Sequence, residues 1–445
     1  LLSFLIVGAR AFTVFTTNCS APTSASENFV TSPNTRGTLE ILWSSLFTIL
    51  ACTWAIQHPN IPEQDQDVPL SSKRGKLWRQ TKGFLTKAKW MLITVLAPEA
   101  IIMAAVSDLT IARKYHKKLK ALAEEDGVFW TWTHTYHANM GGFVLRGLNG
   151  SSQDSGERTT SYRDPYHLGA PNLEALRRKG AIRLPDVSES DITDRCKNDA
   201  FVKAIAVIQI IWSLAQAIAR ISLNLAICPL EISVAAFAIC ALIIYSAYWP
   251  KPMGPERAIT VEHDKANDGL GEGFRSALKE AQDPDDDRFP FCTDILRGRV
   301  RLATKLITPS KTLHETSQGL GREPGSPFQP DHVARGLSAF AAGVLGAILF
   351  GSIHLAAWNF PFATNADMMV WRLSSLYTVA YAPAAILVGL VLTAFDLDSW
   401  ATVVQGGSTL LYILARLVIV VEVFRSLVFL PPSTFTSTWT TNSPH

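Results

Sequence analysis

Residues 201–252 read FVKAIAVIQIIWSLAQAIARISLNLAICPLEISVAAFAICALIIYSAYWPKP, and they decide the fold class. Two long apolar runs are joined by a short turn, and the second carries no charge between Glu231 and Lys251. A helix rising 1.5 Å per residue needs about 20 residues to cross the ~30 Å of a bilayer's hydrocarbon, and the run from Leu230 to Trp249 has that length. Tyr245, Tyr248 and Trp249 stand where amphipathic rings mark a membrane interface, with Lys251 just beyond. The stretch predicts a transmembrane helical hairpin over 201–249.

Moving outward, 39–56 and three runs within 337–430 (337–358, 373–395 with a kink at Pro383, and 410–430) complete an all-α polytopic bundle of about six spans. The intervening 57–200 is basic. Lys73, Arg74, Lys76, Arg79, Lys82, Lys87 and Lys89 precede an apolar segment at 90–106, and Arg113, Lys114, Lys117, Lys118 and Lys120 follow it. By the positive-inside rule both flanks are cytoplasmic. The segment, interrupted by Pro98-Glu99, is therefore expected to be re-entrant or interfacial, or one half of a crossing pair completed by 128–145. Residues 250–336 read as a polar cytoplasmic loop, whose acidic run at 283–287 is a solvated charge run. Residues 1–11, ending in Ala9-Arg10-Ala11, read as the remnant of a signal peptide, which makes 12–38 an exoplasmic segment and 431–445 an exoplasmic tail.

Composition agrees. Of 445 residues 48% are apolar, and the net charge of +3 is too small to imply nucleic acid as a partner. The partners expected are the lipid bilayer and proteins met by the cytoplasmic loops. Six cysteines, with no CxxC pair, indicate neither a zinc site nor a dense disulfide framework. Cys19 and Cys228 share the exoplasmic side and are candidates to pair.

Several blocks, among them NFVTSPNTRGTLEILWSSLFTILACTWAIQHPNIPEQ, KWMLITVLAPE, WTHTYHANMGGFVL, IQIIWSLAQAIAR, YWPKP, IHLAAWNFPF and LPPSTFTSTWTTNSPH, resemble a large group of fungal multi-pass membrane proteins of unassigned activity. The resemblance covers most of the chain outside the two polar loops. It implies a membrane location and a fungal source, and carries over no catalytic residue.

The candidate site residues are the polar ones that spans would bury. Gln209, Trp212, Gln216 and Arg220 form a stripe along one helical face. Ala339, Gly343, Ala347 and Gly351 make a small-residue ladder for close helix approach, continued by His354 and Trp358. Glu422 and Arg425 are spaced to pair on one helix, while Arg416 faces elsewhere and needs another partner. In the six-span scheme Arg220, Glu231, His354, Glu422 and Arg425 fall in the exoplasmic half. They are expected to converge, with Trp358, on one buried polar cluster that binds a ligand or clamps the bundle. Glu99 beside Pro98 is a candidate proton or cation site in a broken helix. His134 and His137, three apart in FWTWTHTYHANMGGF, have no further ligand at metal spacing, so the segment reads as an interfacial aromatic belt.

Two function classes follow. One is a membrane scaffold, receptor or accessory protein, favoured by the absence of an internal repeat; the other is a transporter or channel that uses the buried polar cluster. Catalysis has less support. No Walker motif, HExxH or dinucleotide fingerprint occurs, so no cofactor is indicated, and Gly406-Gly407-Ser408 reads as the cap of the last span. The compartment is the secretory system, with endoplasmic reticulum, vacuole and plasma membrane left open.

Overall fold

The computed structural model describes residues 35–61, 73–146, 166–196, 199–255, 257–262, 330–395 and 398–438. The signal-peptide remnant, Asn18, Cys19 and the acidic run at 283–287 lie outside the described residues.

Helix α1 (Thr38–Ala55) starts after Gly37, whose N–H is met by the Glu40 carboxylate at 3.4 Å. Its Ser44, Thr48 and Thr53 hydroxyls donate to carbonyls one turn back in the same helix. With those donors satisfied internally, the helix presents Leu39, Trp43, Phe47 and Leu50 outward. Helices α2 (Lys73–Leu96) and α3 (Pro98–Asp126) are separated by Ala97 alone and are bent at 109°. Pro98 has no N–H to continue the ladder and pushes Ala97 out of helical geometry, so the break is written in the chain. Gly127 ends α3 in the left-handed conformation at φ 72°.

The far half of α3 carries a small α+β subdomain. It contains α4 (Trp132–Asn139), β1 (Phe143–Leu145), β2 (Tyr166–Leu168), α5 (Ala170–Arg178), α6 (Glu189–Asp194) and β3 (Ile259–Thr260). The sheet order is β2-β1-β3, with β1 antiparallel to β2 and parallel to β3. Leu119, Leu122 and Ala123 of α3 pack against Trp130, Phe143, Leu145, Leu168, Leu173 and Leu176 as its core.

Helices α7 (Asp199–Ser222) and α8 (Pro229–Tyr248) form the expected hairpin, turning through Asn224 at φ 53°. Then come α9 (Pro330–Leu355), α10 (Asn365–Ala394, with Pro383 inside it) and α11 (Asp398–Arg425), followed by 3-10 turns at Ser426–Val428 and Pro432–Phe435. The small residues of α9 serve two partners. A Cβ on Gly343 would lie 2.4 Å from Met103 of α3, and one on Gly351 would lie 2.6 Å from Val379 of α10. Two cores fill the bundle. One runs along its middle through Ile101, Ile102, Ile210, Phe237, Cys240 and Phe350, and the other lies at the Cys228 end around Trp371, Ile419 and Val423.

The described chain is mainly helical. Thr38–Ala55, Phe201–Ser222, Pro229–Tyr248 and Leu337–Leu355 are long and apolar enough to cross a membrane, and the bent α2–α3 pair makes a fifth if it counts as one span. Ile208, Ile211, Ile218 and Ile221 on α7, and Leu410, Leu414, Leu417 and Val421 on α11, face outward. Such apolar surfaces fit a membrane protein.

Two sequence expectations are corrected. Residues 128–145 are not half of a crossing pair, nor an aromatic belt. Gly141 (φ 77°) and Gly142 stop α4 after eight residues, and Thr133 to Ala138 are buried within the subdomain. Ser408 is not a cap, because α11 runs straight through Gly406 and Gly407. The Ser408 and Thr409 hydroxyls donate back to the Gln405 carbonyl, and Tyr377 donates to the Ser408 carbonyl at 3.0 Å. These bonds hold a stretch that two glycines would otherwise weaken.

Candidate functional site

Arg220, Glu231, His354, Glu422 and Arg425 do gather at one end of the bundle, that of Cys228, but as three separate groups. Arg220 is 1% exposed and donates to the carbonyls of Ala226, Ser433, Thr434 and Thr436 at 2.8–3.1 Å. Its guanidinium thus straps the chain after α11 to the α7–α8 turn. The carboxylate of Glu231 takes Arg36 at 2.6 Å, not Arg220, and accepts the Cys228 N–H at 2.9 Å. Arg36 also donates to the Thr434 carbonyl at 2.8 Å. Cys228 caps α8, its thiol accepting the Glu231 N–H.

The second group is Arg425, which reaches Asp367 at 2.9 Å and Glu422 at 3.4 Å, tying the start of α10 to the end of α11. The third is His354. Its Nδ1 lies 2.8 Å from the Phe350 carbonyl, which only accepts, so that nitrogen carries the proton and Nε2 faces the Ser233 hydroxyl at 3.1 Å. Trp358 stays outside the cluster: it is 39% exposed, with the Arg372 guanidinium 4.8 Å over its ring. Gln209 bonds Thr48 at 2.9 Å and so joins α7 to α1, while Gln216 is only half-buried. Sequence reasoning missed Arg36 and Asp367, whose significance depends on which distant elements they meet.

A different arrangement surrounds the α2–α3 break. Glu99, in the first turn of α3, is 7% exposed and accepts a hydrogen bond from Tyr412 of α11 at 2.9 Å through Oε1. Its Oε2 is buried and has no hydrogen-bond partner among the described residues. One turn beyond Tyr412 on the same face, Arg416 is 3% exposed and donates through Nε to the Leu96 carbonyl at 2.8 Å, while its guanidinium lies 3.8 Å over the Phe350 ring. Both Nη1 and Nη2 are buried without a hydrogen-bond partner among the described residues. Glu99 and Arg416 form no ion pair with each other among the described contacts, although both lie in electrostatic reach of Cys240. The partner that Arg416 was expected to need is therefore a carbonyl at a helix break plus a ring face, and two of its three nitrogens are left open.

At the opposite end, a polar belt mounts the subdomain on the bundle. Asp108 accepts from Lys251 at 2.6 Å and from Tyr248 at 2.9 Å, Lys203 donates to the Lys251 carbonyl at 3.0 Å, and Tyr136 donates to the Ala247 carbonyl at 2.8 Å. His58, against the Tyr248 ring, is held neutral by burial and by the nearby charges of Lys203 and Lys251, which together press its pKa well below the ordinary imidazole value. Glu99 precedes Asp108 by nine residues of α3 and Arg416 precedes Arg425 by nine of α11, about 14 Å in each case. The Glu99–Arg416 pair thus lies between the two polar ends.

The histidines of the aromatic segment are inside the subdomain. His134 meets the Thr131 hydroxyl and the Val187 carbonyl, each at 2.8 Å, which uses both ring nitrogens. His137 is fully buried, and neither ring nitrogen has a hydrogen-bond partner among the described residues. Burial, above all, pushes its pKa down to about 4. No group of three or more metal-ligating side chains occurs among the described residues.

A family model described as a family of unknown function (DUF8562) matches residues 6–271, more than half of the chain. The matched stretch includes Glu99, Arg220 and Glu231 and stops before α9. No curated protein and no solved structure matches the chain.

Proposed function

We propose, for a chain that belongs to this family of unknown function (DUF8562), that the protein is a proton-coupled transporter with six spans and a re-entrant α2–α3 hairpin. The observation that carries this reading is the pair of buried, open-ended charges, Glu99 and Arg416, at a helix break. In the six-span scheme α1, α7, α8, α9, α10 and α11 cross in turn. Both flanks of the hairpin are basic and lie on the cytoplasmic side, with Asp108 near that surface. A site about 14 Å further in then sits near the middle of ~30 Å of hydrocarbon, where broken helices bind substrates and coupling ions. Ionisable side chains are costly at that depth and mark ion or proton paths.

The test is proton flux into liposomes that carry the purified full chain and enclose a pH-sensitive dye. An acid pulse should acidify the lumen faster than in protein-free vesicles, and Glu99→Gln should return the rate to the protein-free level. Unchanged flux in that variant, or none in the native protein, overturns the reading.

A second reading, a scaffold, receptor or accessory protein, is favoured by the subdomain that Asp108, Tyr248 and Lys251 mount on the bundle. Its test is stoichiometric binding of a protein partner that the excised α3–α6 surface residues control. The sidedness, the signal peptide and a place in the secretory system belong to the same proposal. Asn18-Cys19-Ser20 and Asn149-Gly150-Ser151 are N-x-Ser acceptor sequences; glycosylation at Asn18 with none at Asn149 supports the proposal, and sugar on Asn149 reverses it.

A further inference from the structure

The open valences of the Glu99–Arg416 pair specify a ligand chemistry. Arg416 offers the N–H groups of Nη1 and Nη2, and one face of the guanidinium is already covered by Phe350. Two adjacent guanidinium nitrogens match the two oxygens of a carboxylate in a forked, charge-assisted contact. Glu99 offers one lone acceptor, Oε2, because Oε1 is held by Tyr412. A single molecule that served both groups would bring two acceptors to Arg416 and at least one donor to Glu99.

Charge balance narrows the choice. Arg416 and ionised Glu99 sum to zero, so a ligand without net charge, or an anion arriving with a proton for Glu99, leaves the buried site neutral. We propose that this site binds a small carboxylate bearing a hydrogen-bond donor on the neighbouring carbon, an α-amino or α-hydroxy acid. The carboxylate docks on Arg416 Nη1 and Nη2, and the ammonium or hydroxyl group docks on Glu99 Oε2. This inference rests on the transport reading for its biological sense, but not for its test.

The experiment is binding of L-alanine, L-lactate and acetate to the purified full chain in detergent, by titration calorimetry. L-alanine or L-lactate binds saturably and more tightly than acetate, which lacks the donor. Arg416→Lys, which keeps the charge and loses the fork, weakens binding by at least about tenfold. Glu99→Gln separates the two ligands: it weakens L-alanine by a similar factor, because an ammonium loses its counter-charge, and leaves L-lactate within about threefold, because a neutral amide offers the hydroxyl one donor and one acceptor, as does the protonated carboxyl that lactate's arrival requires. A measurement on the unaltered protein covers variants that fail to fold. The bound probe protects Glu99 from modification by dicyclohexylcarbodiimide, read by peptide mass spectrometry.

Absence of binding by all three probes, equal binding of all three, or the same affinity in Arg416→Lys overturns the proposal, and so does unaltered Glu99 labelling at saturating L-alanine and L-lactate. Proton flux that needs Glu99 without probe binding keeps the transport reading and discards this one. Probe binding without flux does the reverse.

Discussion

Two buried arginines, Arg220 and Arg416, sit in the same bundle on neighbouring terms of burial and in opposite states of satisfaction. Arg220 spends its guanidinium on four backbone carbonyls, whereas Arg416 spends one nitrogen on one carbonyl and leaves the other two open. A buried charge whose donors are all matched belongs to the architecture, because its removal strands the groups it served. A buried charge with unmatched donors works against the fold instead, and in the proposal above those donors of Arg416 serve a ligand.

The largest effect is expected at Arg220. Arg220→Met leaves the carbonyls of Ala226, Ser433, Thr434 and Thr436 without this donor in a buried setting. The expected loss is about 3–5 kcal/mol, with the chain after α11 becoming sensitive to protease. A thermal melt and limited proteolysis in detergent check it; native-like protection of that segment in the variant removes the strap.

The subdomain supplies the contrast outside the bundle. His137 is also unpaired and buried, but it is neutral, with its folded pKa near 4 against about 6.5 in the unfolded chain. The unfolded state therefore binds more protons between those values. Stability is fully present above pH 6.5, falls as pH drops toward 4, and loses roughly 3 kcal/mol in all. His58, whose pKa is pressed down in the same direction, adds to the loss. Denaturant melts between pH 7 and pH 4 measure the slope, and His137→Leu should flatten it; an identical slope in that variant assigns the effect elsewhere.

A packing change comes next. Gly351→Ala puts a methyl group 2.6 Å from Val379 Cγ2 and 3.0 Å from the Val379 backbone nitrogen, and the backbone has little room to yield. The expected cost is about 1–3 kcal/mol. Gly406→Ala, with nothing within 4 Å, should instead gain a little. The pair of melting temperatures distinguishes a packing glycine from one that is merely tolerated.

How much of this was legible in the residues follows from what each signal depends on. Apolar runs long enough for a bilayer are local, so the α7–α8 hairpin, α1 and α9 could be read directly from 201–249, 39–56 and 337–358. The break at Pro98 was legible because a proline acts on its own turn. The subdomain was not: Trp130, His134 and His137 have the composition of an interface, and only their meeting with Phe143, Leu168, Leu173 and Val187 places them inside. Gly406-Gly407 failed for the opposite reason, since the hydrogen bond from Tyr377 of α10 that helps hold α11 there lies 31 residues away in the chain. At the polar cluster, the sequence pattern picked out Arg220, His354 and Glu422, which are buried, together with Trp358, which is exposed, and it did not give the pairings. Glu231 finds Arg36 and Arg425 finds Asp367, both contacts between segments with no shared periodicity. Gly346, whose added Cβ would lie 3.3 Å from Glu99, escaped notice because it falls off the four-residue ladder.

The sharpest form of the comparison is the change expected to do least to the fold. Arg416→Met removes a charge that forms no ion pair and whose Nη donors have no acceptor among the described residues, and replaces it with a flexible apolar chain against Phe350. The loss of one hydrogen bond to the Leu96 carbonyl works against the relief of desolvating an unmatched cation. These contributions are of similar size and opposite sign, so the melting temperature should stay within a few degrees of the native value, equivalent to less than about 1 kcal/mol. Acid-pulse flux and probe binding should both disappear in that same preparation. A loss of stability as large as that of Arg220→Met would mean that Arg416 is a strap as well, and that its open nitrogens carry no functional meaning.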